Sequence, residues 1–535
     1  MSAERLITLL VLLLAATPVS AERLVFGSFG ARDNADAYAR SLTATLGHAL
    51  HVAPAPADGT YLFRVQSERL DPAAFSALRA RARALSLAHW RLLETAGAVA
   101  AAPVVKAEDA PSIVEVAARA DGDVTRARER QLRPAAGAAL GRADSAAGRS
   151  ELDWDIGLQG RTFQSDGYAD QSRFVGSVSV QPDFYRSWGE RHSLTFSPFA
   201  RYDSEDSKRT HADVRELFYS YVGEAWDVHV GAQRVFWGVT EFHHLVDVIN
   251  QTDLVENIDT EDKLGQPMVR LSTVRSWGVL DLFALTGFRE RTFPGDDGRF
   301  RLPVPIADDA TYASGAQELR LDGAIRWSHH LGPLEFGVHH FSGTSRDPLF
   351  EPRLTSGGTL ELVPHYVTID QTGVDAQAIA GDWVFKLEGI SRSGFGPRYE
   401  AFNLGVERTL VGVMGTRTDL GLVVEYMHDE RGAEAFNTLF ESDVALGGRF
   451  QFNDFANTQA LVGFILDTDR DDYVISLEAS RELNAAWALS IEGRVFSGGD
   501  PLPADAGLEV LVNENLKSSW LQQDDYLQLE LTRFF

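Results

Sequence analysis

From Glu151 to the end of the chain, apolar and polar residues alternate over stretches of about ten residues. The first stretch places Leu152, Trp154, Ile156 and Leu158 on one face. The same alternation recurs near residues 319, 473 and 487. Because successive side chains of a strand point to opposite sides, each stretch predicts a strand with one apolar and one polar face.

The links between these strands are of two lengths. From the strand at Leu152 to the last at Leu527 we count 18 candidates, and tight turns such as Gly332-Pro333 alternate with long links such as 238–267, 289–316 and 497–525. A soluble sandwich would show turn signals at roughly even spacing, whereas short turns at one end and long loops at the other are typical of membrane barrels. The sequence therefore predicts a mainly β fold, a transmembrane antiparallel β-barrel of 16–18 strands over residues 151–535.

The last strand alternates up to a terminal aromatic residue. It carries Leu527, Leu529, Leu531 and Phe535, and it resembles the C-terminal signature of Gram-negative outer-membrane barrels. Arg533 departs from the aromatic or apolar residue usual at that place. The resemblance implies an outer-membrane location, with outer-membrane lipid, lipopolysaccharide and the barrel-assembly machinery as partners.

The first 21 residues have the pattern of a secretory signal peptide. Arg5 precedes the apolar run from Leu6 to Ala16, and the small residues Val19-Ser20-Ala21 form a cleavage site. We expect a mature chain from Glu22. No later stretch approaches the length of about 18 apolar residues that a transmembrane helix needs, so no helical span is predicted.

Residues 22–95 predict a small α+β domain with the order βαββαβ. The segment 26–35, Phe-Gly-Ser-Phe-Gly-Ala-Arg-Asp-Asn-Ala, opens its first helix, and Tyr61-Leu62-Phe63-Arg64-Val65 precedes the second. These features resemble the SPOR domain family, which implies a periplasmic module with a ferredoxin-like fold and peptidoglycan as a partner. Where the family has Gly-Pro-Phe after the third strand, this chain has Gln66-Ser67-Glu68. A different small ferredoxin-like module remains the alternative.

Composition separates the domains. Residues 96–150 are rich in Ala, Pro and Gly and predict a linker.

The formal net charge is -26, and residues 151–535 carry 61 of the 76 acidic but only 32 of the 50 basic residues. This acidity argues against nucleic-acid binding. The absence of cysteine excludes thiolate catalysis, thiolate zinc sites and iron–sulfur clusters.

The polar faces of the strands are expected to line the lumen, because the apolar faces meet lipid. The predicted lumen residues are Asp155, Arg161, Arg320, Asp322, Arg326, Lys386, Glu388, Arg449, Glu478, Glu492, Arg494 and Glu530.

Two acidic segments are expected in loops at the outer end. They contain Asp247, Asp253, Glu256, Asp259 and Asp262 in one long loop, and Asp467, Asp469 and Asp471 before Tyr473. Together with the lumen charges they predict a modest preference for cations that weakens at high salt. The long loop is either an ordinary external loop or one folded into the mouth as a filter, and its Leu245, Val246 and Ile249 imply that part of it packs against something.

No specific metal site follows from the sequence. The acidic turn from Asp467 to Asp472 could hold Ca²⁺ or bridge to lipopolysaccharide, but it lacks the Gly and the bidentate Glu of an EF-hand loop. The pairs His243-His244, His329-His330 and His339-His340 cannot chelate from one strand, since neighbours face opposite sides.

We expect a channel rather than an enzyme. The chain contains neither G-x-S-x-G nor H-E-x-x-H, and no cofactor is implied. The leading interpretation is a porin-like channel for small solutes with a periplasmic peptidoglycan-binding module. The alternatives are a non-conducting anchor tethered to peptidoglycan and a surface export gate or enzyme. Neither the solute nor the oligomeric state follows from the sequence.

Overall fold

The computed structural model describes residues 23–29, 39, 42–43, 46, 48–57, 60–68, 78 and 90–92, and then residues 148–535 except 433–434, 436–437, 471, 499, 504–505 and 512. The expected signal peptide and residues 96–147 of the expected linker lie outside the described residues. The described residues contain no helix that is long and apolar enough to cross a membrane.

Four strands form a separate antiparallel sheet near the N-terminus. They are β1 (Arg23–Phe29), β2 (Leu50–Ala57), β3 (Thr60–Ser67) and β4 (Trp90–Leu92), in the order β2-β3-β1-β4. Between them, only Ala39, Leu42, Thr43, Leu46 and Leu78 are described as helical. The SPOR assignment stays a prediction.

The remaining strands build a closed antiparallel barrel of 18 strands and a small three-stranded sheet. The barrel strands are β5 (Ser150–Phe163), β6 (Phe174–Trp188), β7 (His192–Asp203), β8 (His211–Val222), β9 (Asp227–Gln233), β10 (Gln266–Arg275), β11 (Gly278–Leu285), β13 (Asp322–Leu331), β14 (Leu334–Thr344), β17 (Thr368–Ala380), β18 (Trp383–Ser393), β19 (Tyr399–Leu410), β20 (Asp419–Asp429), β21 (Ser442–Gln451), β22 (Gln459–Asp467), β23 (Tyr473–Asn484), β24 (Trp487–Ser497) and β25 (Tyr526–Phe534). The small sheet consists of β12 (Thr311–Tyr312), β15 (Leu349–Leu354) and β16 (Leu360–Tyr366). Short 3-10 helices occupy Gln317–Leu319, Val413–Gly415, Leu508–Leu511, Glu514–Leu516 and Ser519–Leu521.

The barrel confirms the predicted class and the alternation of links. Long loops, including 234–265, 286–321, 345–367 and 498–525, lie at one end, and short turns such as 276–277 and 332–333 lie at the other. One boundary was wrong: the strand expected near Leu319 begins at Asp322, because Gln317–Leu319 forms a 3-10 turn. Arg320 therefore precedes the barrel wall, and its guanidinium pairs with Asp322.

The outer surface of the barrel is apolar, as a bilayer requires. Exposed outward side chains include Leu158, Val178, Val230, Val269, Ile325, Leu404, Leu446, Ile475, Val495 and Leu529. Near the short turns the surface carries the exposed indoles of Trp154, Trp188, Trp226, Trp277 and Trp383. Phe174 and Tyr202 are exposed near the long loops. Aromatic residues at both rims are typical of the two membrane interfaces.

The predicted assembly strand forms the seam of the barrel. β25 pairs with β5 from Tyr526 opposite Phe163 to Phe534 opposite Asp155. The ring of Phe535 stacks on Trp154 with a centroid distance of 4.5 Å. The guanidinium of Arg533 lies 4.6 Å from the centroid of the Phe535 ring, so the unusual basic residue packs on the terminal aromatic ring.

Candidate functional site

The loop between β9 and β10, residues 234–265, folds into the lumen, and we call it the crossing loop. Its Trp237, Val246, Val248 and Ile249 are buried and belong to one apolar cluster. The wall contributes Phe283, Leu285, Ala324, Phe341, Ile369, Ile390, Tyr399 and Ala401 to this cluster. The inference that part of the loop packs against something is confirmed, because the apolar segment covers the inner wall from β11 to β19.

Glu388 of β18 holds the first half of the crossing loop. One carboxylate oxygen accepts hydrogen bonds from the backbone N–H of Val239 at 2.6 Å and of Thr240 at 3.0 Å, and from the Thr240 hydroxyl at 2.7 Å. The other oxygen accepts from the N–H of Val246 at 3.2 Å. Glu388 is fully buried, so these charge-assisted bonds replace its hydration.

The tip of the crossing loop reaches the far side of the barrel. Glu425 of β20 accepts bonds from the N–H of Glu241 at 2.7 Å and of Phe242 at 3.0 Å. The Glu241 carboxylate pairs with Arg449 of β21. In the closed order of strands, β21 stands nine places from β9 in either direction. The loop therefore spans the full diameter of the lumen.

Two glycines of the wall receive the Phe242 ring. A Cβ built on Gly447 of β21 would lie 2.8 Å from this ring, and one built on Gly463 of β22 would lie 2.7 Å from it. No side chain of ordinary size fits at either position without displacing Phe242. The glycines thus let the tip of the loop lie directly on the backbone of the opposite wall.

Arginines of β7 and β8 and of the turn between them hold the returning half of the loop. Arg201 pairs with Glu256 at 2.9 Å, and Arg215 pairs with Asp253 at 2.8 Å. Arg209 donates to the carbonyl of Val255 at 2.9 Å. Burial alone would raise the pKa of Glu256, but the guanidiniums of Arg201, Arg215 and Arg209 outweigh it and hold this pKa at about 2.

The last turns of the crossing loop contact the strands near the seam. Asn257 donates to Glu492 of β24 at 3.0 Å, and Asp259 lies 3.5 Å from Arg494. Arg494 also lies 3.1 Å from Glu478. These contacts pair the charges of the loop with those of the lumen wall on this side.

A cavity of about 1170 Å³ remains beside the crossing loop. Its upper lining comes from the long loops, including Arg301, Phe350 and Lys517. Its lower lining reaches Glu478 and Leu461, a residue near the short-turn end of β22. The open space thus passes the tip of the crossing loop along the wall formed by β22, β23 and β24. Among the described lining residues, fourteen carboxylates outnumber ten basic side chains.

Comparison with models of known protein families gives no match, and comparison with curated proteins gives none. Solved structures do resemble the chain. OpdO of Pseudomonas aeruginosa is 8% identical over 72% of this chain and 96% of its own, with a TM-score of 0.42. Wzi of Escherichia coli, described as a carbohydrate-binding β-barrel involved in group 1 capsule assembly, is 10% identical over 76% of this chain and 87% of its own, also with a TM-score of 0.42. OmpT of Vibrio cholerae, an outer membrane protein, is 8% identical over 73% of this chain and 100% of its own, with a TM-score of 0.36.

Most of the predicted lumen residues lie on inward-facing positions of the strands. The amine of Lys386 lies 3.9 Å from the Glu241 carboxylate, and the Arg449 guanidinium contacts the same carboxylate directly. Arg326 pairs with Asp375 at 2.6 Å. On the seam side, Arg161 donates to Gln528 at 2.8 Å and Glu530 accepts from Gln159 at 2.9 Å. The bonds on the seam side join neighbouring strands, whereas Arg326 of β13 reaches past β14 to Asp375 of β17, and Lys386 and Arg449 contact a residue of the crossing loop.

Of the two alternatives for the long loop that carries the first acidic segment, the structure shows the one in which the loop folds inward. Asp253 and Glu256 are buried, at 0% and 5% exposure, and the crossing loop carries them into the lumen. Asp247 lies 3.3 Å from the amine of Lys263, and Asp262 lies deep in the same loop, where burial raises its pKa to about 6. The loop descends because its apolar segment packs on the wall and Arg201 and Arg215 attract its carboxylates.

In the second acidic segment, Asp467 is the last residue of β22, is buried, and pairs with Arg470. Asp469 follows in the turn, where its N–H donates to Asp467 at 2.8 Å. Asp471 lies outside the described residues. Asp467 is therefore held by an ion pair at the end of β22.

The pair His339-His340 behaves as strand geometry requires, whereas His243 and His244 lie in the crossing loop and not in a strand. His339 is buried inside the barrel beside Trp237, with a ring separation of 4.7 Å, whereas His340 is exposed and 2.9 Å from the Thr372 hydroxyl. Two neighbouring rings on opposite faces cannot share one metal ion.

The residues missed by sequence reasoning are the partners of the crossing loop, namely Arg201, Arg209, Arg215, Asn403 and Glu425. Their positions in the strand alternation already marked Arg201 and Glu425 as inward-facing. Arg215 sits where the pairing of β7 and β8 shifts register, and both it and Glu216 are buried. Nothing in the local sequence indicates that they bind residues of a distant loop.

Proposed function

We propose that the protein is a porin-like outer-membrane channel for small polar solutes, which pass beside the crossing loop. One observation carries the proposal: the cavity is lined both by external loops and by wall residues as deep as Leu461 and Glu478. A constriction between polar walls suits selective passage of hydrated solutes. We infer passage and binding rather than catalysis.

We further propose a modest preference for cations. The carboxylates that line the cavity outnumber its basic side chains, although many of these carboxylates form ion pairs with the basic side chains. Unbalanced negative charge in a narrow passage lowers the barrier for cations and raises it for anions. The preference is expected to weaken at high salt, because ions screen the carboxylates over about 10 Å or less at and above 0.1 M.

Recordings in planar bilayers test both statements. The purified full chain is expected to show small, discrete conductance steps and, in a tenfold KCl gradient, a reversal potential of the sign for cations. An anion-selective reversal potential would contradict the charge argument. A complete lack of conductance would contradict the channel.

The second candidate is a non-conducting barrel anchor. It is favoured by the attachment of the crossing loop to β7, β8, β18, β20, β21 and β24. A non-conducting anchor is expected to give no conductance in these recordings. It should also give none after the crossing loop has been loosened, provided that the rest of the lumen is blocked.

We also propose that the N-terminal module binds peptidoglycan, on the basis of the SPOR resemblance. The full chain in detergent is expected to sediment with sacculi stripped of stem peptides, whereas a chain lacking residues 22–95 stays in the supernatant. Equal sedimentation of the two chains would contradict this role.

A further inference from the structure

A buried acidic cluster lies where external loops meet the barrel rim. It consists of Glu441, at the end of the loop before β21, Asp443 of β21 and Asp467 of β22. Carboxylate oxygens of these three residues lie within 4.8 Å of one another. All three residues are 3–4% exposed, so water screens their mutual repulsion poorly.

The basic groups around this cluster do not balance its charge. Arg470 contacts Glu441 at 2.8 Å and also pairs with Asp467, and Lys517 lies 3.0 Å from Glu441. Asp472 adds a fourth carboxylate, 3.6 Å from Arg470. Among the described residues, two cations thus face four carboxylates, a formal excess of two acidic groups in a buried place.

A second acidic group in the same barrel shows the contrast. His211, Asp253 and Glu256 also bring possible ligand atoms together. There, Arg201 and Arg215 pair with the carboxylates and Arg209 lies beside them. The arginines already neutralise that group, so it has no need of a metal ion.

One carboxylate oxygen of this buried acidic cluster lacks a hydrogen-bonding partner among the described residues. Oε2 of Glu441 is buried and accepts no hydrogen bond from the described residues, although Oε1 contacts both Arg470 and Lys517. Oδ1 of Asp472, on a residue 7% exposed, is in the same condition. Buried carboxylate oxygens without donors are costly, and a bound cation removes that cost.

We propose that Glu441, Asp443 and Asp467 bind a divalent cation, and that Ca²⁺ is the ion. The donor set consists of carboxylate oxygens alone, which suits a hard cation, and Ca²⁺ accepts the irregular geometry of ligands from several segments better than Mg²⁺ does. The ion balances the formal excess of two acidic groups. It ties the loop before β21 to the end of β22, and through Lys517 and the Ser518–Asp472 bond of 2.5 Å it secures the loop before β25.

Calorimetric titration of the full chain in detergent with CaCl₂, after removal of divalent ions with EDTA, tests the site. The wild type is compared with the double variant E441Q/D443N. D308N is the matched control, because Asp308 is an exposed loop carboxylate paired with Lys208 and is not a member of the cluster. Folding of each variant is checked by the slower migration of the unfolded barrel in heated samples.

We expect one Ca²⁺ per chain in the wild type and in D308N, and at least tenfold weaker binding in E441Q/D443N. The thermal unfolding midpoint should rise with CaCl₂ in the first two proteins only. If the double variant does not fold, D467N replaces it. Unchanged affinity in a folded cluster variant, or a wild type without bound Ca²⁺, would overturn the proposal.

Discussion

At the scale of single residues, carboxylates of the wall act as acceptors for the backbone of the crossing loop. Glu388 and Glu425 together accept bonds from the N–H groups of five residues, Val239, Thr240, Glu241, Phe242 and Val246. A loop without regular structure cannot satisfy its own backbone, so inside a barrel it needs such acceptors. The negative charges of the wall therefore hold the loop in addition to facing solutes.

This role predicts the effect of E388Q. The substitution replaces one acceptor oxygen by a donor NH₂ group opposite N–H groups of the loop, and each lost charge-assisted bond weakens the attachment by about 1.5–3 kcal/mol. We expect larger and noisier conductance steps than in the wild type.

The control for E388Q is E335Q. Glu335 lies on β14, and it makes no bond to the crossing loop among the described residues. Bilayer recordings of both variants separate loss of attachment from loss of lumen charge. Equal changes in the two variants would refute the role of Glu388.

Glu256 predicts a dependence on pH. Its pKa of about 2 lies below the ordinary value of 4.5, so its ion pairs stabilise the fold fully above pH 4.5, and this contribution is lost as the pH falls through about 2. We expect E256Q to unfold at a lower temperature than the wild type at pH 6. The difference should shrink steadily between pH 4.5 and 2.

Thermal unfolding followed by circular dichroism over this pH range measures the effect. D308N serves as the comparison, because its exposed ion pair contributes little. A difference between E256Q and the wild type that stays constant down to pH 2 would exclude Glu256 as the titrating group.

At the scale of elements, strand periodicity made the barrel predictable, because residues such as Lys386, Glu388 and Arg449 keep strict alternation with lipid-facing neighbours. The path of the crossing loop was only partly predictable. Val246 and Ile249 signalled burial, but the binding of Glu256 by Arg201 joins residues 55 positions apart and depends on closure of the barrel. Local sequence does not encode such pairs. The start of β13 was misplaced because Leu319 and Leu321 continue the alternation into a 3-10 turn.

Removal of the crossing loop tests its role as an element. The 18 strands bond to one another through their own backbones, so replacing residues 239–262 by a short Gly-Ser linker should leave the barrel folded. We expect conductance to rise several-fold and ion selectivity to weaken. A deletion of residues 355–358, at the tip of the β15–β16 hairpin, is the control and should leave conductance unchanged. A folded loop-deletion variant with wild-type conductance would contradict the constriction.

At the scale of the whole molecule, the links define the orientation. The long loops are expected outside the cell and the short turns, with both ends of the barrel, in the periplasm. Thr355–Gly358 is a largely exposed turn, so a nonspecific protease added to intact cells should cut there. The crossing loop near 256–263 should be spared because it lies inside the lumen. Cleavage at Gly332-Pro333 in intact cells would invert the topology.

The contacts of the crossing loop also impose an order on assembly. The loop leaves β9, early in the barrel, yet it bonds to Glu425 of β20 and to Glu492 of β24, and β24 is the last strand but one. These bonds cannot form until the late strands have joined the sheet. A nascent barrel therefore closes around a loop that is still only partly bound, and the arginines and glutamates of its wall remain hydrated until then. We therefore expect the loop to lock only after the late strands have joined, so a refolding chain should gain most of its strand content before it becomes resistant to proteolysis at residues 256–263.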